Sequence, residues 1–394
     1  MLLAGTLAIA ACGAPTSAEP REPIGQTAAG GKPSCGDVRG FYAARPSARI
    51  WVTNGRLTQK GRALAAKLGS TGAGAPAATE QTLASAFVQN AGRLSGAPQG
   101  HSITYVDAGL APRPPCAAQL LATAAQLPRI EPLLDRLDAP NIAAVAIKAA
   151  HAAAPDNSSR ERLAADLALA RSFGTMRRAI LVDTRSARLW AIDGNRVADS
   201  MKVIVGKPTS ATPDMAALLR YAKLKPYWDV PPDLVQMRIA RQVAQRGLGY
   251  LQQRRFVVVD RYGEAPKLLS PAAIDWRAVR SETQKIGIRQ LPGADNMLGR
   301  VLFMFPNRMG IYLHDTPNRA SFARADRHIS NGCVRLERAA ALYRWSFGHD
   351  LPAAATVASP DQRVDLREPI PVYLVKFSTA GSNALLRLSA RGAV

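Results

Sequence analysis

The stretch Arg178-Ala179-Ile180-Leu181-Val182-Asp183-Thr184-Arg185-Ser186-Ala187-Arg188-Leu189-Trp190-Ala191-Ile192-Asp193-Gly194-Asn195-Arg196-Val197 decides the fold. Apolar, β-branched residues fill Ala179–Asp183 and Ala187–Ile192, and a polar Thr184-Arg185-Ser186 turn separates the two runs. Asp193-Gly194-Asn195 is a hairpin signal, because its residue types accept the positive φ that a tight turn demands. Val197–Val205 is the third strand, closing at Gly206-Lys207-Pro208. Further strands read at Phe256–Val259, Val301–Phe305, Ile311–Leu313 and Pro371–Phe377. Consecutive short strands with tight turns predict a β-rich, largely antiparallel domain.

Upstream the pattern is helical. Thr58 is placed to cap Gln59–Leu68, which ends at Gly69. Leu83, Phe87 and Leu94 fall on one face of a helix over 82–94. Short amphipathic helices follow at Ala117–Gln126 and Ile130–Leu137. A longer one opens after Asn157, with Ser158 or Ser159 as cap, and runs to Phe173. The whole reads as an α+β chain. Residues 1–12 form an export signal, 13–34 a flexible tether, 35–152 a mainly helical scaffold domain and 153–177 a linking helix. Residues 178–379 form the β-rich domain, and 380–394 a peripheral tail. Between 223 and 290 the β pattern breaks: Pro226-Tyr227-Trp228-Asp229-Val230-Pro231-Pro232 leads into a helix over Val235–Arg246 and a polar segment with Trp276. This is a capping subdomain or an ordinary insertion around a Trp core.

The residues that carry chemistry lie in Tyr312-Leu313-His314-Asp315 and Ser330-Asn331-Gly332-Cys333-Val334-Arg335. A thiol nucleophile needs a base, donors for a developing oxyanion and a charge that positions substrate. Cys333 is the candidate nucleophile and His314, at the end of an apolar strand, the base. Backbone amides at Gly332-Cys333 are the oxyanion donors, since glycine lets the main chain approach a bound carbonyl. Arg335 can fork onto a carboxylate or pair within the core. Ser330 shapes the turn. Asp315 orients the imidazole by its carbonyl or its side chain. His328 is the rival base or a supporting group, and Tyr312 can face the site. A helix over Val334–Arg344 would bring its positive N-terminal end to the thiol and lower its pKa.

This pattern resembles the active site of the YkuD-type L,D-transpeptidases, the peptidoglycan cross-linking enzymes. In them a His is followed, after a gap, by Ser/Thr-x-Gly-Cys-x-Arg. Many members have His where this chain has Asn331. Pro226-x-Trp228-x-Val230-Pro231, Pro292-Gly293 with Asn296-x-Leu298-Gly299, and Val203–Pro208 with Thr212-Pro213 resemble the large branch that carries a lid over the site. Segments 41–68 and 83–96 resemble that branch's helical scaffold. The resemblance implies that Cys333 attacks the bond between the third residue of a tetrapeptide stem and its terminal D-Ala. His314 would protonate the leaving D-Ala, and the thioester would pass to an amine of a second stem as a 3→3 cross-link. It implies no metal or cofactor, and acylation of Cys333 by carbapenems. Alternatives within the class are hydrolysis or transfer to a protein lysine or a free D-amino acid. The alternative outside it is a non-catalytic wall-binding lipoprotein.

Composition and compartment agree with an envelope protein. The chain has 394 residues, 47% of them hydrophobic, enough for several cores. Its net charge of +22 implies an anionic partner or only a solubilising bias. The Lys and Arg are spread along the chain, and no nucleic-acid-binding motif occurs, so peptidoglycan stem carboxylates fit better than nucleic acid. Met1–Cys12 is too short an apolar run to span a bilayer and reads as a signal's hydrophobic region. Ile9-Ala10-Ala11-Cys12 resembles a lipobox, which would leave the protein exported, in the periplasm, and lipid-anchored at Cys12. With Cys12 and Cys333 assigned, Cys35 and Cys116 are left as a candidate disulfide in an oxidising compartment. No metal-ligand spacing occurs among the four Cys and five His.

Overall fold

The computed structural model describes residues 35–69, 79–96, 102–263 and 265–391. The expected signal, tether and lipidated Cys12 lie outside them. Ten strands build the β sheet among the described residues: β1 (Arg178–Asp183), β2 (Arg188–Asp193), β3 (Arg196–Gly206), β4 (Met215–Leu224), β5 (Val301–Met304), β6 (Leu313–His314), β7 (His328–Ser330), β8 (Val334–Leu336), β9 (Gln362–Val375) and a short strand from the front of the chain, Thr104–Tyr105, which pairs with β4. Hydrogen bonding runs in the order β5-β6-β8-β3-β2-β1-β9-β4, and β4 pairs back onto β5, which closes the sheet. Closure removes the unpaired edges that an open sheet exposes. β7 lies outside this ring and pairs with β3.

Side-chain alternation sorts the barrel. Ile180, Val182, Leu189, Val203, Val205, Ala222, Leu224, Phe303, Leu313, Val334 and Leu336 point inward into one core. Full burial of each large side chain stabilises by about 1.5–3 kcal/mol. On the outer face, Leu181, Trp190, Tyr373 and Val375 pack against helices Ile142–Ala152, Asn157–Ser172 and Thr379–Arg391. Leu385 of the last helix is fully buried there. The described start of the segment expected as a peripheral tail therefore packs into the core, because Ala384, Leu385 and Leu388 share one helical face.

A second core holds Phe41, Trp51, Leu64, Phe87, Leu121 and Ile130. Outside this core, exposed Cys35 and half-buried Cys116 are bonded, with Cα atoms 5.2 Å apart. The Glu80 carboxylate accepts from the Ile50, Trp51 and Val52 amides (2.6, 2.9 and 2.7 Å) and from the Tyr42 hydroxyl (2.8 Å). Thr58 caps Gln59–Lys67 through the Gly61 amide. Helix Asn157–Ser172 is capped by Asp156, not by Ser158 or Ser159, which already sit in its first turn. Helix Ile142–Ala152 packs with the barrel's outer cluster, so the change of core falls upstream of the expected boundary at 152. Asp138 stands at this junction with Lys67, Lys148 and Arg171 around it. Burial opposes its ionisation, but the three cations outweigh that and hold its pKa at about 2.

The insertion between β4 and β5 has its own core of Val230, Val235, Ile239, Val243, Leu251, Phe256, Val258 and Ile288. Its expected helix is a π-helical turn, Val235–Ala240, running into an α-helix, Arg241–Arg246. Asn296, fully buried, ties the two ends of the insertion together: its Nδ2 donates to the carbonyls of Pro226 and Leu291, both at 3.1 Å.

One local expectation fails beside the site. Val334–Leu336 is strand β8, and the helix starts later, at Ala339–Phe347. Val334 and Leu336 fit a strand wedged between β6 and β3, where both flanks offer ladder bonds. Tertiary pairing overrides the helical spacing of Leu336, Ala340 and Tyr343.

Candidate active site

β6 and β8 are parallel neighbours, with Leu313 opposite Val334 and His314 opposite Arg335. Opposed residues of a pair share a face. Leu313 and Val334 enter the core, so His314 and Arg335 stand on the outside. Tyr312 and Cys333, one step earlier on each side, line up on that same outer face, and the Val334 amide bonds to the Tyr312 carbonyl (2.9 Å). The sheet register therefore brings Tyr312, His314, Cys333 and Arg335 together.

The turn before β8 is built by side chains. Ser330 Oγ donates to the Cys333 carbonyl (2.6 Å) and accepts from the Gly332 amide (3.1 Å). Thr212 Oγ1 donates to the Gly332 carbonyl (2.7 Å). Gly332 has φ +118°, a conformation that side chains disfavour, so the turn requires glycine. The Gly332 amide, expected as an oxyanion donor, is bonded to Ser330 Oγ within the turn, whereas the Cys333 amide has no hydrogen-bond partner among the described residues. Asn331 is exposed at the tip.

Cys333 Sγ lies 3.4 Å from the Gly310 carbonyl, which accepts the thiol proton. Burial raises the thiol's pKa, and the Tyr312 backbone bond and the Arg335 charge only partly offset this. The helix that would have depressed it begins six residues later. His314 is 4% exposed, and its Nδ1 is 2.6 Å from the Asp315 carbonyl. A carbonyl only accepts, so Nδ1 carries the proton and Nε2 the lone pair. Burial, then the Arg335 charge, lower the His314 pKa to about 4. Burial thus favours the uncharged form of each group, raising the thiol and lowering the imidazole.

The other predicted residues have distinct places. Asp315 orients the imidazole by its backbone. Its buried carboxylate instead accepts from the Arg300 amide (2.9 Å) and pairs with Arg319 (2.5 Å). His328 has both ring nitrogens engaged, Nδ1 with Asp326 (2.7 Å) and Nε2 with the Thr184 carbonyl (2.8 Å), which makes it a strut between β7 and the β1–β2 turn. Arg335 is paired with no carboxylate among the described residues; burial lowers its pKa most, and the titratable groups that act on it are Cys333 and Arg238 of the insertion. Trp228 is half-buried in the insertion's own core, its ring 6.3 Å from Phe256. Arg238 escaped the sequence reading because a lone Arg in a helical segment carries no signal.

Residues 177–360 match the family model for YkuD, the L,D-transpeptidase catalytic domain. A curated protein of Haemophilus influenzae named "Putative L,D-transpeptidase" is 30% identical over 184 residues, 46% of this chain and 36% of that protein, so the chain spans about a third of that relative's length. Among solved structures, an L,D-transpeptidase from Mycobacterium smegmatis aligns with 51% of this chain and 59% of its own at 12% identity and TM-score 0.25. L,D-transpeptidase 3 from Mycobacterium tuberculosis aligns with 50% and 61% at 12% identity and TM-score 0.24.

Proposed function

Starting from residues 177–360 as a YkuD-type L,D-transpeptidase catalytic domain, we propose that this protein cross-links peptidoglycan stems through a thioester on Cys333. The observation that carries the reading is the shared outer face of β6 and β8, which holds Cys333, His314 and Arg335 together. As Sγ attacks the donor carbonyl, its proton passes to Nε2 of His314. With burial favouring the uncharged thiol and imidazole, this is a general-base step coupled to attack. The Cys333 amide donates to the oxyanion. The C–N bond to D-Ala then breaks, and the imidazolium returns its proton to the leaving amine. A neutral side-chain amine of a second stem attacks the thioester, His314 takes its proton, and that proton goes to the departing sulfur. The products are a 3→3 cross-link, D-Ala and the free thiol.

Arg335, which no carboxylate pairs among the described residues, also feels the charge of Arg238 from the insertion. The two guanidiniums suit the carboxylates of the donor stem. The insertion is the lid that keeps water from the thioester so that an amine competes with hydrolysis. The Cys35–Cys116 disulfide supports an oxidising compartment. Export to the periplasm, with lipidation at Cys12, is part of this proposal. Carbapenems, whose strained amide reacts with thiols, would acylate Cys333.

The test is mass spectrometry of a tetrapeptide muropeptide incubated with the protein and with Cys333→Ala. A dimer lacking one D-Ala, absent with the variant, is the expected result. D-Ala release without a dimer would replace transpeptidation by hydrolysis. No product from folded wild-type protein would overturn the reading in favour of a wall-binding role.

A further inference from the structure

We infer that the Asp315 carboxylate and Arg319 form a joint that sets the orientation of His314 and ties it to both the lid root and the strand bearing Cys333. The inference rests on His314 being the working base and names two positioning residues for it.

The geometry has three arms. In the first, Asp315 Oδ2 accepts from the Arg300 amide at 2.9 Å, where the chain leaves the insertion and enters β5. Gly299 lies against the same carboxylate so closely that an added Cβ would sit 2.4 Å from Oδ2. Just upstream, Asn296 clamps both ends of the insertion. In the second, Asp315 Oδ1 pairs with Arg319 of the short 3-10 turn Arg319–Ala323. Arg319 then donates Nη1 to the carbonyls of Leu336 (3.2 Å) and Glu337 (2.9 Å), at the end of the strand that begins beside Cys333. In the third, the Asp315 carbonyl holds Nδ1–H of His314 at 2.6 Å. The Asp315 side chain therefore meets the lid root directly and the nucleophile's strand through Arg319, while its main chain holds the base.

A buried carboxylate is costly unless fully bonded. Here its two oxygens are used on two different segments. Ordinary strand capping would need one. Holding the side chain between Arg300 and Arg319 fixes the Asp315 peptide plane, hence the direction of its carbonyl, hence the ring tautomer and plane of His314. A displacement of about 1 Å in such a group costs on the order of 100-fold in rate.

The experiment uses the full chain as wild type, Asp315→Asn, Arg319→Ala, the double variant and the milder Arg319→Lys. Folding is checked by thermal melts. One readout is the ring-15N spectrum of His314, which reports the tautomer without any substrate. The other is D-Ala release from the tetrapeptide donor. The expected wild-type spectrum is a single Nδ1–H tautomer. Each folded variant should show mixed tautomers and turn over about 10- to 100-fold more slowly at nearly constant KM. The double variant should be no slower than the slower single variant, because both substitutions break one joint. Arg319→Lys, which keeps the charge but not the fork, should fall between. An unchanged tautomer, unchanged turnover, or multiplying losses in the double variant would each overturn the inference. If Asp315→Asn does not fold, Arg319→Lys and Arg319→Ala decide it. If the wild type releases no D-Ala, the proposed activity fails while the spectra still decide the joint.

Discussion

The barrel and the helical front region solve stability in opposite ways. The barrel closes a ring of strands around a dry core, and its backbone groups satisfy one another. The front region is made of short helices that could not persist alone. It is held by particular bonds: a disulfide, one carboxylate gathering three amides, and an ion cluster at its junction with the barrel side. The difference separates two kinds of residue. On the proposed function, those on the outer face of β6 and β8 add little to the barrel's stability and carry its chemistry. Those in the front region should act on stability alone.

Substitutions can break that division, and the sharpest is Cys333→Ala. It should reduce D-Ala release to the detection floor while leaving the melting temperature within a few degrees. Next, His314→Gln should slow acylation by about 10²–10⁴-fold, the range for loss of a positioned base. It should not destabilise at low pH. The wild type carries a His whose folded pKa, about 4, lies below its unfolded value. The unfolded chain binds the proton more tightly, so the wild type loses stability as pH falls from about 6.5 to 4, and the variant should lose less. Urea melts across that range check this.

Within the active protein, single-turnover kcat/KM for acylation should hold level from neutral pH to about 5 and fall with a limb near 4. A limb at 6–7 would mean the imidazole is exposed, contrary to its burial. In the front region, Cys116→Ser should cost roughly 4 kcal/mol, since the bond spans 81 residues. It should leave kcat unchanged at temperatures where the protein is folded. Smallest, Glu80→Gln should cost about 1–3 kcal/mol by weakening the bonds to Ile50, Trp51 and Val52. A change in kcat for either front-region variant would show that this region reaches the active site.

Much of this division was legible beforehand. The period-two runs from Arg178 announced strands, and the spacing of His314, Gly332, Cys333 and Arg335 announced thiol chemistry. The disulfide followed from cysteine count and compartment. Other features were not legible. Val334–Arg344 has helical spacing, yet its first residues are a strand, because the neighbours that pair with them are 21 and 131 to 133 residues away in sequence. The Gly332 amide looked available until Ser330 Oγ was found on it. His328 and His314 are each a His beside an apolar residue. Only their partners divide them, one ring bonded at both nitrogens and the other at Nδ1 alone.

The sequence by itself determined the residue types of the site, the β-rich character of the domain and the place of the insertion, since these depend on local periodicity and short spacing. Tertiary structure decided which side chains share a face, which amides are bonded within the turn, the burial that raises the thiol and lowers the imidazole, and the Asp315–Arg319 contact. The reason is physical. Burial, register and hydrogen-bond competition are properties of groups brought together from distant parts of the chain, and no local pattern records them.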